Sequence, residues 1–512
     1  MYFSVAFRSD LMGATKEKSF ILAIDQGTTS TRALVYEAKG RCLGSSALEL
    51  TQHYPQPGWV EHDPEEIWKS VAKVVPQALS AANIPAEKLA AIGLTNQRET
   101  CLLWDRKSGN PVGRALVWQD RRTTDFCRQH KDDEPWIFQR TGLVLDPYFS
   151  ATKMRWMLDQ DAAHRAAAQT GRLAAGTIDS FLIWRLTGGH VFATDRTNAS
   201  RTLLLDLRTA AWDEDLCRYF GIPIAMLPQI RPSAGDFGVT RGLSFLPDGV
   251  PISGVAGDQQ AALVGQLGFE PGNAKCTYGT GAFFLLHTGS QLIHSKHRLL
   301  STLAASQEGP IQYALEGSVF IAGAAVQWLR DGLHLIESSS AVEPLAAKAE
   351  PNQEVIFVPG LVGLGAPHWV PEARGALFGL TRATGAAELA RAALEGVAFQ
   401  VVDLVDAACK DSGRPLESLR VDGGMSANAW FLQRQADLLG LPVIQAQERE
   451  STALGAAFLA GLQIGLWPSL DALRQLIQEP KCFHPSVSPE NRARRLEQWH
   501  KAVKTVIDFY RS

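Results

Sequence analysis

The chain has 512 residues, which exceeds the usual size of one hydrophobic core and predicts two or three domains. Apolar residues make up 46% and charged residues 20%, as in soluble globular proteins, and the net charge of −3 argues against nucleic acid as a partner. No apolar run approaches the ~18 residues of a membrane span, and the seven cysteines include no Cys-x-x-Cys pair, so we expect a cytoplasmic protein without a disulfide framework or zinc site.

Residues 1–18 mix apolar and charged side chains and lack the apolar core of a signal peptide. We expect a disordered tail here, with Met12 as an alternative start of the chain. The folded part of the chain is expected to begin at residue 19.

The first informative stretch, residues 21–36, has the pattern of a strand, a tight turn and a second strand. Gly27 in the turn lets backbone N–H groups approach a phosphate closely. Asp25 at the end of the first strand suits a hydrated Mg²⁺, and Arg32 adds a cation. Three hydroxyl donors lie between them: Thr28, Thr29 and Ser30. Taken alone, the stretch also fits an ordinary polar β-turn.

The next segments offer groups that recognise hydroxyls. A buried strand at 89–94 leads into Arg98 and Glu99, which are either a solvated surface pair or a clamp for vicinal hydroxyls. Trp118 ends another strand, where it belongs either to the core or to the wall of a polyol site. Tyr148 lies in a turn-rich loop and presents a hydroxyl. His62, in an earlier loop, is expected to be structural rather than catalytic.

A strand-to-helix corner follows at residues 251–263. The strand ends in Gly257 and Asp258, and a helix is expected to begin at Gln259 and continue through Leu267. Asp258 therefore projects from a corner, where it either meets a ligand or acts as an N-cap for the helix. We place the domain boundary near residue 267.

A second hairpin of the phosphate-binding type occurs at residues 275–286, with Gly279, Thr280 and Gly281 at its turn. It lies about half the chain beyond the first hairpin, which suggests two duplicated domains that face one nucleotide across a cleft. Farther on, a helix at 318–329 carries Gly323 and Gln327. The paired glycines Gly423 and Gly424, with Asn428 after them, suit an adenine or ribose lying close to the backbone.

Four motifs, in this order and spacing, resemble the FGGY family of carbohydrate kinases over residues 20–510: Asp25–Ser30, Asn96–Thr100, Gly257–Gln260 and Tyr278–Gly281. The resemblance implies two ribonuclease-H-like α/β domains of the actin-like ATPase type, with ATP and substrate in the cleft between them. We expect an N-terminal domain at 19–267 and a C-terminal domain at 268–512.

The resemblance further implies transfer of the γ-phosphoryl group of Mg-ATP to glycerol, giving sn-glycerol 3-phosphate and ADP, with Asp258 as the general base. By this likeness the glycerol-binding residues are Arg98, Glu99, Trp118, Tyr148, Asp258, Gln259 and Phe283. The nucleotide-binding residues are Thr28, Thr29, Ser30, Arg32, Thr280, Gly323, Gln327, Gly424 and Asn428. Asp25 and Asp258 would lie around Mg²⁺.

One interval departs from the family pattern. Some bacterial members bind fructose 1,6-bisphosphate through a Gly- and Arg-bearing loop that corresponds to residues 241–249, and here Gly249 stands where the arginine would be. We therefore expect no regulation by this sugar phosphate. Three alternatives remain at this stage: a kinase of a pentulose, a phosphatase or bare ATPase, and a non-catalytic nucleotide-binding protein. Both a homodimer and a homotetramer are compatible with the sequence.

Overall fold

A computed structural model describes residues 18–447, 450–476 and 480–511. The expected tail at residues 1–18 lies, apart from Lys18, outside the described residues. The chain divides into two compact units. The first comprises the described residues of Met1–Leu267, Thr302–Tyr313 and Glu450–Ile477, and the second those of Gly268–Ser301, Ala314–Arg449 and Gln478–Ser512. Within the described ranges, no helix is long and apolar enough to cross a membrane.

Both units combine helices and strands. The strands are β1 (Phe20–Gln26), β2 (Ser30–Glu37), β3 (Cys42–Glu49), β4 (Glu61–His62), β5 (Leu89–Asn96), β6 (Cys101–Asp105), β7 (Ala115–Leu116), β8 (Leu173–Thr177), β9 (Ala193–Asp195), β10 (Leu205–Asp206), β11 (Ala211–Trp212), β12 (Gln229–Arg231), β13 (Ile252–Gly257), β14 (Ala274–Tyr278), β15 (Ala282–Gly289), β16 (Leu300–Leu303), β17 (Tyr313–Val319), β18 (Ile356–Val358), β19 (Ala376–Phe378), β20 (Leu419–Asp422), β21 (Val443–Gln445) and β22 (Lys481–Phe483).

The α-helices are α1 (Pro64–Ala82), α2 (Thr124–Gln129), α3 (Glu134–Thr141), α4 (Ser150–Asp159), α5 (Ala162–Gln169), α6 (Ile178–Leu186), α7 (Arg196–Ala199), α8 (Glu214–Phe220), α9 (Asp258–Gly265), α10 (Gly323–Gln327), α11 (Val342–Ala346), α12 (Ala386–Ser412), α13 (Ala429–Leu439), α14 (Ser451–Gln463), α15 (Leu470–Arg474) and α16 (Pro489–Arg511). Short 3₁₀ segments and one π-helical turn, Trp328–Gly332, connect some of them.

The main sheet of the first unit has the strand order β13-β5-β1-β2-β3. β1 and β2 form the predicted hairpin, with Asp25 directly opposite Arg32. β5 runs parallel to β1, and β13 runs parallel to β5, so that Gly257 lies beside Asn96. Every residue of β5 is buried, as expected for a parallel strand inside a sheet. Because these three strands are parallel, the segments that follow them begin at one edge of the sheet.

Helix α1 packs on β2 and β3 and covers one face of this sheet. It begins as its sequence predicts: Oδ1 of Asp63 accepts the N–H of Glu65 at 2.9 Å, and Pro64 occupies the first turn, where no intrahelical donor is needed. Its apolar face enters the hydrophobic core of the first unit with the buried residues of β1, β2 and β5. The helix thereby covers the face of the sheet next to the first hairpin.

Helix α14 belongs to the first unit although it comes almost 200 residues after α9 in the chain. It packs against α9, β5 and β13 through backbone contacts that only glycine allows. A Cβ on Gly455 would lie 1.8 Å from the carbonyl oxygen of Ala261, and one on Gly265 would lie 1.9 Å from that of Ser451. The helix that begins at Asp258 is therefore held against α14 with the two backbones in direct contact.

Replacing Gly455 by alanine is expected to lower the free energy of unfolding by about 1–3 kcal/mol, because the added methyl group overlaps a backbone oxygen that cannot move alone. The helix-propensity gain of about 1 kcal/mol is smaller than the clash. Denaturant unfolding of the ligand-free protein measures the difference. Gly424→Ala is the matched control, since none of the described residues lies within 4 Å of a Cβ built there. Equal stabilities of the two variants would contradict the packing described.

The main sheet of the second unit has the order β16-β17-β15-β14-β20-β21-β22. β14 and β15 form the second predicted hairpin, and β20 lies parallel to β14 on its other side. The 27-residue helix α12 runs through the core of this unit. The carboxyl-terminal helix α16 contributes Trp499, whose ring stacks on Phe399 of α12 with centroids 5.0 Å apart.

Candidate functional site

The carboxyl ends of β1, β5 and β13 bring three of the predicted segments to one edge of the first unit's sheet. Asp25 lies beside Thr95 in the ladder of β1 and β5, and Gly257 lies beside Asn96 in the ladder of β13 and β5. Ligands of open α/β sheets bind at such edges, because the strands deliver several loops to one place there. The described residues at this edge include most of the predicted substrate-binding residues.

Asp258 is the first residue of α9, and Gly257 occupies the cap position before it. The helix thus begins one residue earlier than predicted, and the alternative that Asp258 is the N-cap is wrong. Oδ1 of Asp258 accepts the N–H of Gln259 at 2.8 Å and lies 3.3 Å from Nε of Arg98. Its side chain is 31% exposed, so the carboxylate is fixed by two donors and still accessible to a ligand.

Arg98 is buried, which rules out the solvated surface pair for it. Besides Asp258, its guanidinium contacts Oε1 of Gln260 at 3.2 Å, and its Nε lies 4.0 Å from Oε1 of Glu99. A Cβ on Gly257 would lie 2.6 Å from both Cγ and Cδ of Arg98. No local pattern in the sequence indicates that this arginine fills the space beside Gly257.

Glu99 is also buried, in a left-handed backbone conformation with φ of +59°. Its Oε1 is 2.5 Å from Nε of Arg201, and its backbone carbonyl accepts the hydroxyl of Ser150 at 2.9 Å. Arg201 lies 102 residues from Glu99 and is not among the predicted site residues. No local signal marks Arg201, since an arginine after a polar loop is ordinary in a sequence. Only its complete burial reveals its importance.

Trp118 and Tyr148 lie together in the first unit, with ring centroids 5.6 Å apart and planes inclined by 66°. Nε1 of Trp118 donates to Oγ1 of Thr28 at 2.9 Å, which links this aromatic pair to the tip of the first hairpin. The fully buried Lys153 donates to the backbone carbonyl of Tyr148 at 2.8 Å. Burial lowers the pKa of this lysine. Phe283 is half-buried on β15 of the second unit.

The first hairpin presents Gly27, Thr28 and Thr29 at its tip, closed by a 2.9 Å bond from the N–H of Gly27 to the carbonyl of Ser30. Behind it, the pKa of Asp25 is raised to about 7: burial is the largest cause, Arg32 opposes it, and the carboxylates of Asp258 and Glu450 act in the same direction as burial. Arg32 forms an ion pair with Glu450, a residue the sequence analysis also missed.

His62 is buried behind this hairpin, and the hydrogen-bond partners of its ring among the described residues are amide side chains. Its Nε2 donates to Oε1 of Gln52 at 2.9 Å, and its Nδ1 lies 3.3 Å from Nε2 of Gln97. Gln52 and Gln97 in turn donate to the backbone carbonyls of Thr28 and Gly27. His62 therefore supports the hairpin tip in its neutral form, which agrees with the structural role expected for it.

Acid should weaken this support. Burial lowers the pKa of His62 to about 4, below the value of about 6.5 in an unfolded chain. As the pH falls, the unfolded chain binds the proton before the folded protein does. The contribution of neutral His62 to the free energy of unfolding is therefore complete above pH 6.5 and is lost between pH 6.5 and pH 4, a loss of about 3 kcal/mol. Urea unfolding at several pH values should show a shallower acid loss for His62→Gln than for the parent. The exposed His484→Gln is the control, and identical pH profiles for all three proteins would contradict the assignment.

The second unit contains a cavity of about 390 Å³. All of the residues predicted to bind nucleotide in this half of the chain line it: Thr280, Gly323, Gln327, Gly424 and Asn428. The polar residues that the sequence analysis missed there are Ser339, Ser340 and Glu343. The volume and the mixed lining suit a nucleoside.

Glycine residues allow the walls of this cavity to meet at backbone distance. The N–H of Gly323 donates to the carbonyl of Gly279 at 3.0 Å, and a Cβ at position 323 would lie 2.6 Å from that oxygen. Gly423 has φ of +87°, and a Cβ there would lie 2.4 Å from the carbonyl oxygen of Tyr278. Asn428 caps α13 by accepting the N–H of Phe431 at 2.8 Å. Packing therefore requires a glycine at position 423. Position 424 has room for a side chain and lines the cavity.

Comparison with known proteins agrees with this arrangement. Residues 20–265 match the N-terminal domain of the FGGY family of carbohydrate kinases, and residues 274–464 match its C-terminal domain. A glycerol kinase of Rhizobium rhizogenes is 54% identical over 493 residues, which cover 95% of this chain and 99% of the relative. The crystal structure of Plasmodium falciparum glycerol kinase with ADP is similar with a TM-score of 0.90, 37% identity and coverage of 95% and 98% of the two chains.

A more distant structure has the same fold. The gluconate kinase of Lactobacillus acidophilus matches with a TM-score of 0.86 at 23% identity, covering 96% of this chain and 99% of its own. Together with the two α/β units, these matches confirm the expected fold class, that of the actin-like ATPases. Since both family domains match and near-complete relatives share more than half of the residues, the chain belongs to the FGGY family of carbohydrate kinases.

Proposed function

We propose that this protein transfers the γ-phosphoryl group of ATP to a terminal hydroxyl of glycerol, giving sn-glycerol 3-phosphate and ADP. The observation that carries the proposal is the cluster of Asp258, Arg98 and Glu99 at the edge of the first sheet. Buried charged groups of both signs suit a ligand made almost entirely of hydroxyls, since each hydroxyl both donates and accepts. Trp118 and Tyr148 offer an apolar surface for the carbon chain of a small polyol.

The activities of the similar proteins indicate which acceptor this protein uses. The Rhizobium rhizogenes protein is a glycerol kinase, and so is the Plasmodium falciparum protein whose structure contains ADP. The gluconate kinase is only 23% identical to this chain, so its similarity supports the fold and not the substrate. The identity of 54% over nearly the whole chain therefore favours glycerol over a pentulose or a gluconate as the acceptor.

Within this proposal Asp258 acts as the general base. Its carboxylate accepts the proton of the attacking hydroxyl, while Nε of Arg98 at 3.3 Å holds the carboxylate in place. Glu99 accepts a hydrogen bond from a second hydroxyl, and Arg98 donates one, so that the acceptor is oriented for in-line attack. The hydroxyls and backbone N–H groups of the hairpin tip at residues 27–30 suit the phosphate oxygens.

A magnesium ion fits the residues at the first hairpin. In the described ranges no cluster of three or more His, Cys, Asp or Glu has the arrangement of a metal site. The carboxylate of Asp258 is nevertheless close enough to Asp25 to raise the pKa of Asp25. Mg²⁺ in phosphoryl-transfer sites is commonly held by one or two carboxylates together with water and phosphate oxygens. Asp25 and Asp258 would hold it, and when bound it neutralises charge on the phosphate oxygens.

The nucleotide is proposed to bind in the cavity of the second unit, with its base and ribose against Gly424 and Asn428 and its phosphates toward Thr280. Backbone N–H groups at glycine-rich turns suit phosphate, and an open glycine lets a flat base lie on the main chain. A cytoplasmic location and a homodimeric or homotetrameric state belong to the same proposal.

A coupled assay of ADP release tests the proposed function. The purified protein is given Mg-ATP with glycerol, dihydroxyacetone, several pentuloses or no acceptor. We expect ADP release to depend on an acceptor and to be most efficient with glycerol. Equal release without an acceptor would mean an ATPase or phosphatase, and preference for a pentulose would mean a sibling kinase. Nucleotide binding without any turnover would mean a non-catalytic protein.

A further inference from the structure

Arg201 is a buried cation that the proposed reaction does not yet use. Its side chain has no exposed surface, and its Nε is 2.5 Å from Oε1 of Glu99. The guanidinium carbon lies 5.5 Å from the ring centroid of Tyr148 and 5.2 Å from that of Phe149. One arginine therefore contacts two of the residues that are proposed to bind the polyol.

The segment that carries Arg201 is itself anchored to the site. Asp195 caps α7 by accepting the N–H groups of Thr197 and Asn198, each at 2.9 Å. Oγ1 of Thr197 accepts the N–H of Gly257 at 2.8 Å, directly before the proposed base. Beyond α7, the carbonyl of Thr202 accepts the N–H of Ala151 at 2.9 Å, close to the Tyr148 loop. Residues 195–202 thus connect the segment of Gly257 and Asp258 with the loop that carries Tyr148.

The ion pair with Arg201 affects both the charge and the orientation of the Glu99 carboxylate. A buried carboxylate costs a large desolvation free energy unless a cation accompanies it, and it must remain ionised to accept hydrogen bonds from hydroxyls. A carboxylate oxygen has two acceptor sites, so Oε1 of Glu99 can bind Arg201 and a substrate hydroxyl at the same time. The left-handed backbone of Glu99 leaves its side chain few orientations, and the ion pair with Arg201 selects one of them.

We propose that Arg201 is a positioning residue that holds the carboxylate of Glu99 toward the polyol and so selects acceptors that carry adjacent hydroxyl groups. This inference rests on the proposed function, because it assumes that Glu99 accepts a hydroxyl of the substrate. Arg201 acts through Glu99 and does not itself touch the reacting atoms.

A double-mutant cycle tests this role. Arg201→Met, Glu99→Gln and the double variant are compared with the parent for the KM of glycerol, the KM of ATP, kcat and the melting temperature. We expect Arg201→Met to raise the KM of glycerol about 10- to 100-fold while the KM of ATP changes less than about twofold. In the Glu99→Gln protein the same substitution should add less than about threefold, since the group that Arg201 positions is already altered.

Selectivity gives a second measurement. 1,3-Propanediol lacks the hydroxyl adjacent to the terminal one, whereas 1,2-propanediol keeps it. The preference of the parent for glycerol over 1,3-propanediol should therefore shrink in Arg201→Met, and its preference for 1,2-propanediol over 1,3-propanediol should shrink with it. Arg201→Lys keeps the charge without the planar fork and should lie between the parent and Arg201→Met. If Arg201→Met does not fold, the lysine variant decides by the same criteria. The control is Arg185→Met, which removes an ion pair with Glu65 elsewhere in the first unit.

Two results would overturn the inference. One is an unchanged KM for glycerol in a folded Arg201 variant. The other is equal loss for glycerol and ATP, matched by Arg185→Met, which would reveal a purely structural arginine. Failure of the proposed function looks different, because the parent protein itself would then release no ADP in response to glycerol.

Discussion

Replacing Asp258 by asparagine is expected to lower kcat by roughly 10²–10⁴-fold, the usual contribution of general-base assistance. An alcohol is a poor nucleophile, and its proton must be accepted as the bond to phosphorus forms. Asparagine keeps the size of the side chain and an acceptor for the N–H of Gln259, which Oδ1 of Asp258 now binds at 2.8 Å. The amide cannot take the proton, so the KM of glycerol should change far less than kcat.

The stability of the variant separates catalysis from a helix-terminal role. Asp258 begins α9, where a negative charge near the helix N-terminus contributes about 0.3–1 kcal/mol. If Asp258 had only this helix-terminal role, Asp258→Asn would lower the melting temperature slightly and leave kcat unchanged. Asp161→Asn is the matched control, since Asp161 caps α5 by accepting the N–H of Ala163 at 2.8 Å. A folded Asp258→Asn protein with near-normal kcat would reduce Asp258 to a helix-terminal residue.

Replacing Glu99 by alanine is expected to lower kcat/KM for glycerol by roughly 5- to 150-fold, which corresponds to about 1–3 kcal/mol for a buried polar group left without its partner. A hydroxyl of glycerol would lose its acceptor, and Arg201 would lose the carboxylate at 2.5 Å. ATP binding should persist, because the nucleotide is proposed to lie in the second unit. Steady-state kinetics with each substrate varied in turn, together with nucleotide titration, measure both effects.

A stability control is needed for this substitution, because breaking any buried ion pair destabilises a protein. Glu395→Ala provides it: Glu395 is buried on α12 of the second unit and pairs with Arg495 at 2.7 Å. We expect it to lower the melting temperature without changing the KM of glycerol. If Glu99→Ala leaves kcat/KM for glycerol unchanged, Glu99 does not belong to the polyol site.

Some features of this protein follow from local sequence, because their causes are local. The hairpins at Gly27 and Gly279 are marked by β-prone runs on either side of a glycine-containing turn, and such turns form wherever the flanking strands can pair. The position of Asp25 at the end of a buried strand follows in the same way. Part of the lining of the second unit's cavity was also expected, from the family resemblance, and the glycines at 323 and 423 meet a nearby steric requirement.

Other features depend on contacts between distant parts of the chain, and no local pattern marks them. Arg201 pairs with Glu99 over 102 residues, and Arg32 pairs with Glu450 over 418. Helix α14 could be predicted as an apolar helix, but its place against α9 follows from the fit of Gly455 and Gly265 to opposing backbone. Local propensity determines which segments become strands, turns and helices, whereas burial in a shared core determines which of them meet. The sequence thus determined the two hairpins and the acids Asp25 and Asp258 at the ends of β1 and β13, because these features depend on local patterns. Only the tertiary structure decided that Arg201 pairs with Glu99, because that contact joins residues far apart in the chain.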